Sequence, residues 1–159
     1  MKELIDQAAR VAALLRSRKE SVAVLESSSG GLISAALLAV AGASDYYLGG
    51  AVIYTGRAWH ALRDFDKSVL GGYRSATPEH ALVRARLARE RFGATWGIGE
   101  TGAAGPTGNR YGDPAGHACI AVAGPKEISE VLRTGLADRL QNMHLFTIEA
   151  LKNLEKVLS

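Results

Sequence analysis

The chain has 159 residues, 47% of them hydrophobic and 22% charged, with a formal net charge of +3. That length suits a single domain over residues 1–159, large enough to bury about 70% of the unfolded chain's surface, and the composition excludes a disordered segment. A lone cysteine, Cys119, excludes an internal disulfide and a multi-cysteine metal site and fits a reducing, cytoplasmic setting.

Apolar residues at helical spacing from Leu4 to Leu15, opposite Lys2, Asp6, Arg10 and Arg16, predict an amphipathic helix over 3–18. The opening Met1-Lys2-Glu3-Leu4-Ile5-Asp6 lacks the apolar core and cleavage site of a signal peptide. A strand over 22–25 follows, then a turn rich in serine and glycine, Ser27-Ser28-Ser29-Gly30-Gly31, then a helix over 31–40. The apolar run at 32–42 is too short to cross a bilayer, so no membrane association is expected. Residues 42–50 read as a turn, 51–55 as a strand and 58–70 as a helix. Thr77 and Pro78 form a cap and first-turn pair for a helix over 78–92. Strands are expected over 95–101, 115–123 and 128–134, a glycine-rich loop over 102–112, and a closing helix over 136–158. Alternating strands and helices indicate an α/β fold, a three-layer α/β/α sandwich on a mixed, mostly parallel sheet.

Ligands of such sheets sit at the carboxyl ends of strands. The loops at 26–31, 55–58 and 101–112 are therefore expected to converge. A helix start offers unpaired N–H groups and partial positive charge to an anion or oxyanion, and Gly30 and Gly31 allow close approach. A helix cap explains one serine; three serines and two glycines favour a site. Gly97-Ile98-Gly99-Glu100-Thr101-Gly102 has dinucleotide-fingerprint spacing, but no helix follows it, and no Walker sequence occurs. The four histidines show no metal-ligand spacing, so no metal is expected. Arg84, Arg86, Arg89 and Arg91 spread around one helix and read as a solvated face, which gives no support to nucleic-acid binding. A pI near 9.2 favours acidic ligands.

Several motifs in order resemble the CinA C-terminal domain family, over nearly the whole chain. The family's E-S-C-T-G-G turn has its counterpart in Glu26-Ser27-Ser28-Ser29-Gly30-Gly31, and its G-S-S in Gly42-Ala43-Ser44. Its Y-S-N-E-A-K segment aligns with Tyr54-Thr55-Gly56-Arg57-Ala58-Trp59. Its T-G-I-A-G-P-x-G loop aligns with Thr101-Gly102-Ala103-Ala104-Gly105-Pro106-Thr107-Gly108, its P-V-G with Pro114-Ala115-Gly116, and its G-D-R with Ala137-Asp138-Arg139.

The resemblance implies hydrolysis of the carboxamide of nicotinamide mononucleotide to the acid and ammonia, without a cofactor, in a homo-oligomer. It implies Ser27 as nucleophile, Tyr54 lining the site, and N–H groups around Ser29, Gly30 and Gly31 holding an oxyanion or phosphate. Further substrate contacts would come from Thr55, Thr101, Gly102 and Gly105, with Arg139 facing a small anionic nucleotide. The chain departs from the family at three positions: lysine becomes Trp59, asparagine becomes Gly56, and a late arginine becomes Met143. Neither Arg57 nor His60 replaces the lysine obviously, since arginine stays protonated and His60 points about 100° away on a helix. Two readings follow: an amidohydrolase, or a catalytically silent paralogue that binds a nucleotide or a partner protein. On the first, Trp59→Lys is expected to raise activity.

Overall fold

The computed structural model describes residues 1–62 and 67–159. A long first helix, α1 (Lys2–Arg18), leads into strand β1 (Val22–Glu26), short helix α2 (Leu32–Leu38) and strand β2 (Tyr47–Val52). Helix α3 (Gly56–Ala61), a 3-10 turn at Lys67–Leu70, helix α4 (Pro78–Phe92) and strand β3 (Trp96–Ala103) follow. Strands β4 (His117–Ala123) and β5 (Glu127–Arg133) and helix α5 (Arg139–Leu158) complete the chain.

The sheet order is β2-β1-β3-β4-β5. Strand β1 pairs in parallel with β2 and β3, and β4 pairs antiparallel with β3 and β5. Four strands therefore share one direction and β4 alone runs against them. Both faces are covered, which is why β1 is buried at every position instead of alternating. On one face Val22, Val24, Ile98 and Ile120 meet α1, α2 and α5 through Val11, Leu15, Ile33, Leu37 and Leu151, and Ala118 meets Phe146 of α5. On the other, Ala23 and Leu25 meet Trp59, Leu87 and Ala88, while Cys119 and Ala121 meet Ala81 and Ala85. The result is the expected three-layer α/β/α sandwich.

The glycines at 97 and 99 explain how closely α4 lies on β3. A Cβ at Gly97 would sit 1.9 Å from the Ala85 carbonyl oxygen, and one at Gly99 2.0 Å from that of Ala81. Their spacing serves helix-on-sheet packing rather than a phosphate.

Several boundaries differ from the sequence reading. Strand β2 covers Tyr47–Val52 rather than 51–55, because Gly49 and Gly50, read as a turn, pair with Ala23 and Val24. The helix expected over 58–70 ends at Ala61, where Leu62 turns extended, and residues 63–66 lie outside the described residues. Gly102 and Ala103 belong to β3, paired with Ala118 and His117, so the glycine loop starts later. Helix α5 starts at Arg139, capped by Asp138, which accepts from Gln141 N–H at 2.8 Å. Among the described residues no helix is long and apolar enough to cross a membrane.

Candidate functional site

Strand β1 ends at Glu26, which is fully buried at the start of α2. Its Oε1 accepts from Ser29 Oγ (2.6 Å) and the N–H groups of Gly31 (2.9 Å) and Ile33 (3.2 Å). Its Oε2 accepts from the N–H (3.0 Å) and Oγ (2.8 Å) of Ser34. A carboxylate there satisfies helix-start donors and complements the positive end of the dipole. From the neighbouring strand, fully buried Glu100 takes the rest of the turn. Its Oε2 accepts from Ser27 N–H, Ser29 N–H and Ser29 Oγ, each at 2.9 Å, and its Oε1 accepts from Ser28 Oγ. Gly30 and Gly31 close the turn at φ +67° and +95°, backbone that other residues adopt only with strain.

This network revises two expectations. No serine side chain caps α2, contrary to the reading in which a cap explains one of the three: the Ser29 hydroxyl sits within hydrogen-bond distance of both glutamates, and Glu26 supplies the cap. The N–H groups of Ser29, Gly30 and Gly31, expected to meet an oxyanion, already donate to Glu100, the Ser27 carbonyl (3.1 Å) and Glu26. Between Ser27 and Leu32, the Ser28 N–H is the backbone donor left without an acceptor among the described residues.

Ser27 differs from its neighbours. The residue is 7% exposed, and its hydroxyl makes no hydrogen bond within the described residues. It lines a cleft of about 210 Å³ together with Gly30, Val52, Tyr54, Arg139 and Met143. Arg139 ties the cleft together, donating from Nη2 to the Tyr54 hydroxyl (3.0 Å) and from Nη1 to the Gly105 carbonyl (2.6 Å). The turn after β1, Tyr54 just after β2 and the Gly105 loop therefore meet through Arg139, whereas Thr55 and Gly56 of the expected 55–58 loop line a second cavity. Among the described residues no lysine, histidine or carboxylate lines this cleft.

Other expected site residues lie elsewhere. Thr101 is buried and accepts from Ala76 N–H at 3.0 Å, and Gly102 packs under the His117 carbonyl. Neither lines the Ser27 cleft. Thr55 caps α3, accepting from Ala58 N–H at 3.3 Å, and faces a second cavity of about 270 Å³ on the α4 side of the sheet. Trp59, at the family's lysine position, is buried and lines that second cavity rather than the Ser27 cleft; His60 is exposed.

Sequence reasoning misplaced Arg84. It is buried, with its guanidinium 4.9 Å from the Trp59 ring and hydrogen bonds to the carbonyls of Ile53 (3.0 Å) and Glu26 (3.4 Å). Burial lowers its pKa to about 10, against the attraction of Glu100. A signal existed: Arg84 shares a helix face with Ala81, Ala85 and Ala88, whose small side chains leave room for it. Arg86, by contrast, is exposed and pairs with Glu127 at 2.7 Å.

His80, one turn before Arg84, is also buried. Burial, aided by the Arg84 charge, pushes its pKa down to about 4 from the ordinary value near 6.5. The unfolded chain thus takes up this proton first as pH falls, so His80 erodes stability between about pH 6.5 and 4, by up to about 3 kcal/mol. Denaturant midpoints measured across that range should fall less steeply in His80→Gln than in wild type. Cys119 is no second nucleophile, since burial pushes its thiol up to about 12. Among the described residues no cluster of histidine, cysteine and acidic side chains is arranged to hold a metal.

A family model described as the CinA C-terminal domain matches residues 5–158. A CinA-like protein of Acidobacterium capsulatum is 36% identical over 144 residues, covering 91% of this chain and 35% of the relative. One of Prochlorococcus marinus is 37% identical over 147 residues, covering 91% and 34%. The chain thus spans about a third of the length of the curated relatives it matches. The crystal structure of the competence/damage inducible protein CihA from Agrobacterium tumefaciens superposes with a TM-score of 0.87 at 26% identity, covering 98% of this chain and 95% of that one.

Proposed function

Because the chain belongs to the CinA C-terminal domain family, we propose that it is an amidohydrolase that converts the carboxamide of nicotinamide mononucleotide to the acid and ammonia. The observation that carries this reading is the Ser27 hydroxyl, the one turn hydroxyl left out of the glutamate network and open to a cleft where Tyr54 and Arg139 meet. In this reading the Ser27 oxygen bonds to the carboxamide carbon, and the developing oxyanion meets the Ser28 N–H. The serine proton passes, by way of the Tyr54 hydroxyl, to the leaving nitrogen, which departs as ammonia. Water then cleaves the acyl ester, releasing the acid and restoring Ser27. Arg139, exposed at the rim, faces the anionic substrate.

The test is ammonia release from nicotinamide mononucleotide by wild type and Ser27→Ala. Since the Ser27 hydroxyl makes no hydrogen bond within the described residues, the variant should stay within about 0.5 kcal/mol of wild-type stability while losing turnover. An active Ser27→Ala protein removes the nucleophile assignment.

A second reading, a catalytically silent nucleotide binder, is favoured by the cleft, which has no lysine, histidine or carboxylate among the described residues. It expects stabilisation without turnover. Nicotinamide mononucleotide at a hundred times its dissociation constant would add about 2.7 kcal/mol, read as a rise in Tm. Ammonia release at rates typical of enzymes rules the silent reading out.

A further inference from the structure

Strands β1 and β2 separate just before Ser27 and Tyr54. Their register ends at Glu26 and Val52, and the last bond between them runs from the Ile53 N–H to the Glu26 carbonyl at 2.9 Å. In a parallel ladder the next bond would return from the Ser28 N–H to the Ile53 carbonyl. That bond is missing. Glu100 holds the N–H groups of Ser27 and Ser29 in the turn, and the Ser28 N–H between them has no acceptor among the described residues. Ile53 is fully buried, so its carbonyl still requires a donor.

Arg84 supplies that donor from α4. Its Nη2 donates to the Ile53 carbonyl at 3.0 Å and its Nη1 to the Glu26 carbonyl at 3.4 Å. One planar fork thus spans the ends of both strands, at the residues directly before Tyr54 and Ser27. The guanidinium has little room to shift: the side chain is buried, it lies 4.9 Å from the Trp59 ring, and α4 is docked tightly on β3 over Gly97 and Gly99.

We infer that Arg84 is a positioning residue of the Ser27 cleft. By taking the place of the Ser28 N–H on the Ile53 carbonyl, it frees that N–H for an oxyanion and fixes Tyr54 relative to Ser27. The inference rests on the proposed hydrolysis for its effect on rate, but its effect on the turn is independent of turnover, so the two are measured separately.

Amide hydrogen exchange of the ligand-free full chain, followed by NMR, tests the turn. Arg84→Met removes both donors along with a buried charge, and replacing a buried charge by an apolar side chain is often tolerated. The Ser28 N–H should then fall back on the Ile53 carbonyl and exchange about tenfold slower than in wild type, while the N–H groups of Ile98 and Ile120 gain no protection. A plain loss of stability can only speed exchange, so the sign separates positioning from support. Ser28 exchange that is unchanged or faster overturns the inference. In ammonia release from nicotinamide mononucleotide, kcat should fall about a hundredfold with KM within about twofold, because an oxyanion donor acts in the transition state. A wild-type kcat in the variant overturns the positioning role. Wild-type protein that releases no ammonia removes the hydrolysis reading alone, and the exchange result still decides on Arg84. If Arg84→Met does not fold, Arg84→Lys carries both measurements. Its compact ammonium lacks the planar fork, so both effects should keep their direction at about threefold or more, and wild-type values in it overturn the inference.

Discussion

Glu100→Ala should cost at least about 4 kcal/mol and dismantle the turn that carries Ser27. The substitution leaves three donors without their acceptor, the N–H groups of Ser27 and Ser29 and the hydroxyl of Ser28, while the Ser29 hydroxyl keeps Glu26. Each buried donor left unpaired costs about 1–3 kcal/mol, and although such costs do not add simply, water cannot easily reach a fully buried site to repair them. Glu100→Gln should cost less, because it keeps one oxygen acceptor and the side-chain volume. Urea midpoints of the two variants and wild type measure the difference. A Glu100→Ala protein within 1 kcal/mol of wild type would show that the turn holds itself. The same variant should also lose any activity of Ser27, through position rather than chemistry.

Trp59→Lys is expected to destabilise the protein by about 3–5 kcal/mol, the range for truncating a buried large aromatic, and not to raise hydrolysis. The family resemblance alone predicts the opposite, a gain in activity from restoring the lysine. In the structure the Trp59 ring packs with Leu25, Ile53 and Leu87 and lies under the Arg84 guanidinium. Lysine there exchanges a cation–π contact of about 1–2 kcal/mol for a like charge beside a buried arginine. It would also emerge in the second cavity rather than the Ser27 cleft. Thermal unfolding and ammonia release on the same preparation decide between the two expectations. A Trp59→Lys protein that is both stable and faster than wild type would show that the residue reaches Ser27 after all.

The elements with strong local signals were legible from sequence. The Thr77-Pro78 pair gave the start of α4 to the residue, since the threonine side chain accepts from His80 N–H at 3.2 Å and the proline needs no hydrogen bond there. The strand, serine-glycine turn and helix from Val22 to Leu38 were equally clear, because buried β-branched residues, φ-permissive glycines and an apolar helical face act within a few residues. The family motifs located Ser27, Tyr54 and Arg139, which the fold brings to one cleft. Strand β2 was misplaced because its glycines serve pairing with β1, a contact that their immediate neighbours do not encode.

What sequence alone determined, then, is the order of elements, the layered architecture and the turn where chemistry is to be sought. What only the tertiary structure decided is which groups in that turn remain free. Strands β1 and β3 pair in the register that sets Leu25 beside Gly99, and this carries Glu100 to a turn 73 residues away in the chain. Its carboxylate and that of Glu26 absorb nearly every donor of the turn and leave the Ser27 hydroxyl and Ser28 N–H. On the far side of the sheet, the close approach of α4 over Gly97 and Gly99 buries Arg84 and His80 against Trp59, turning an apparently solvated helix face into a cavity wall. Propensity and periodicity are set by neighbours along the chain, whereas the partner of a buried polar group is set by strand register and helix docking, which depend on the whole fold at once.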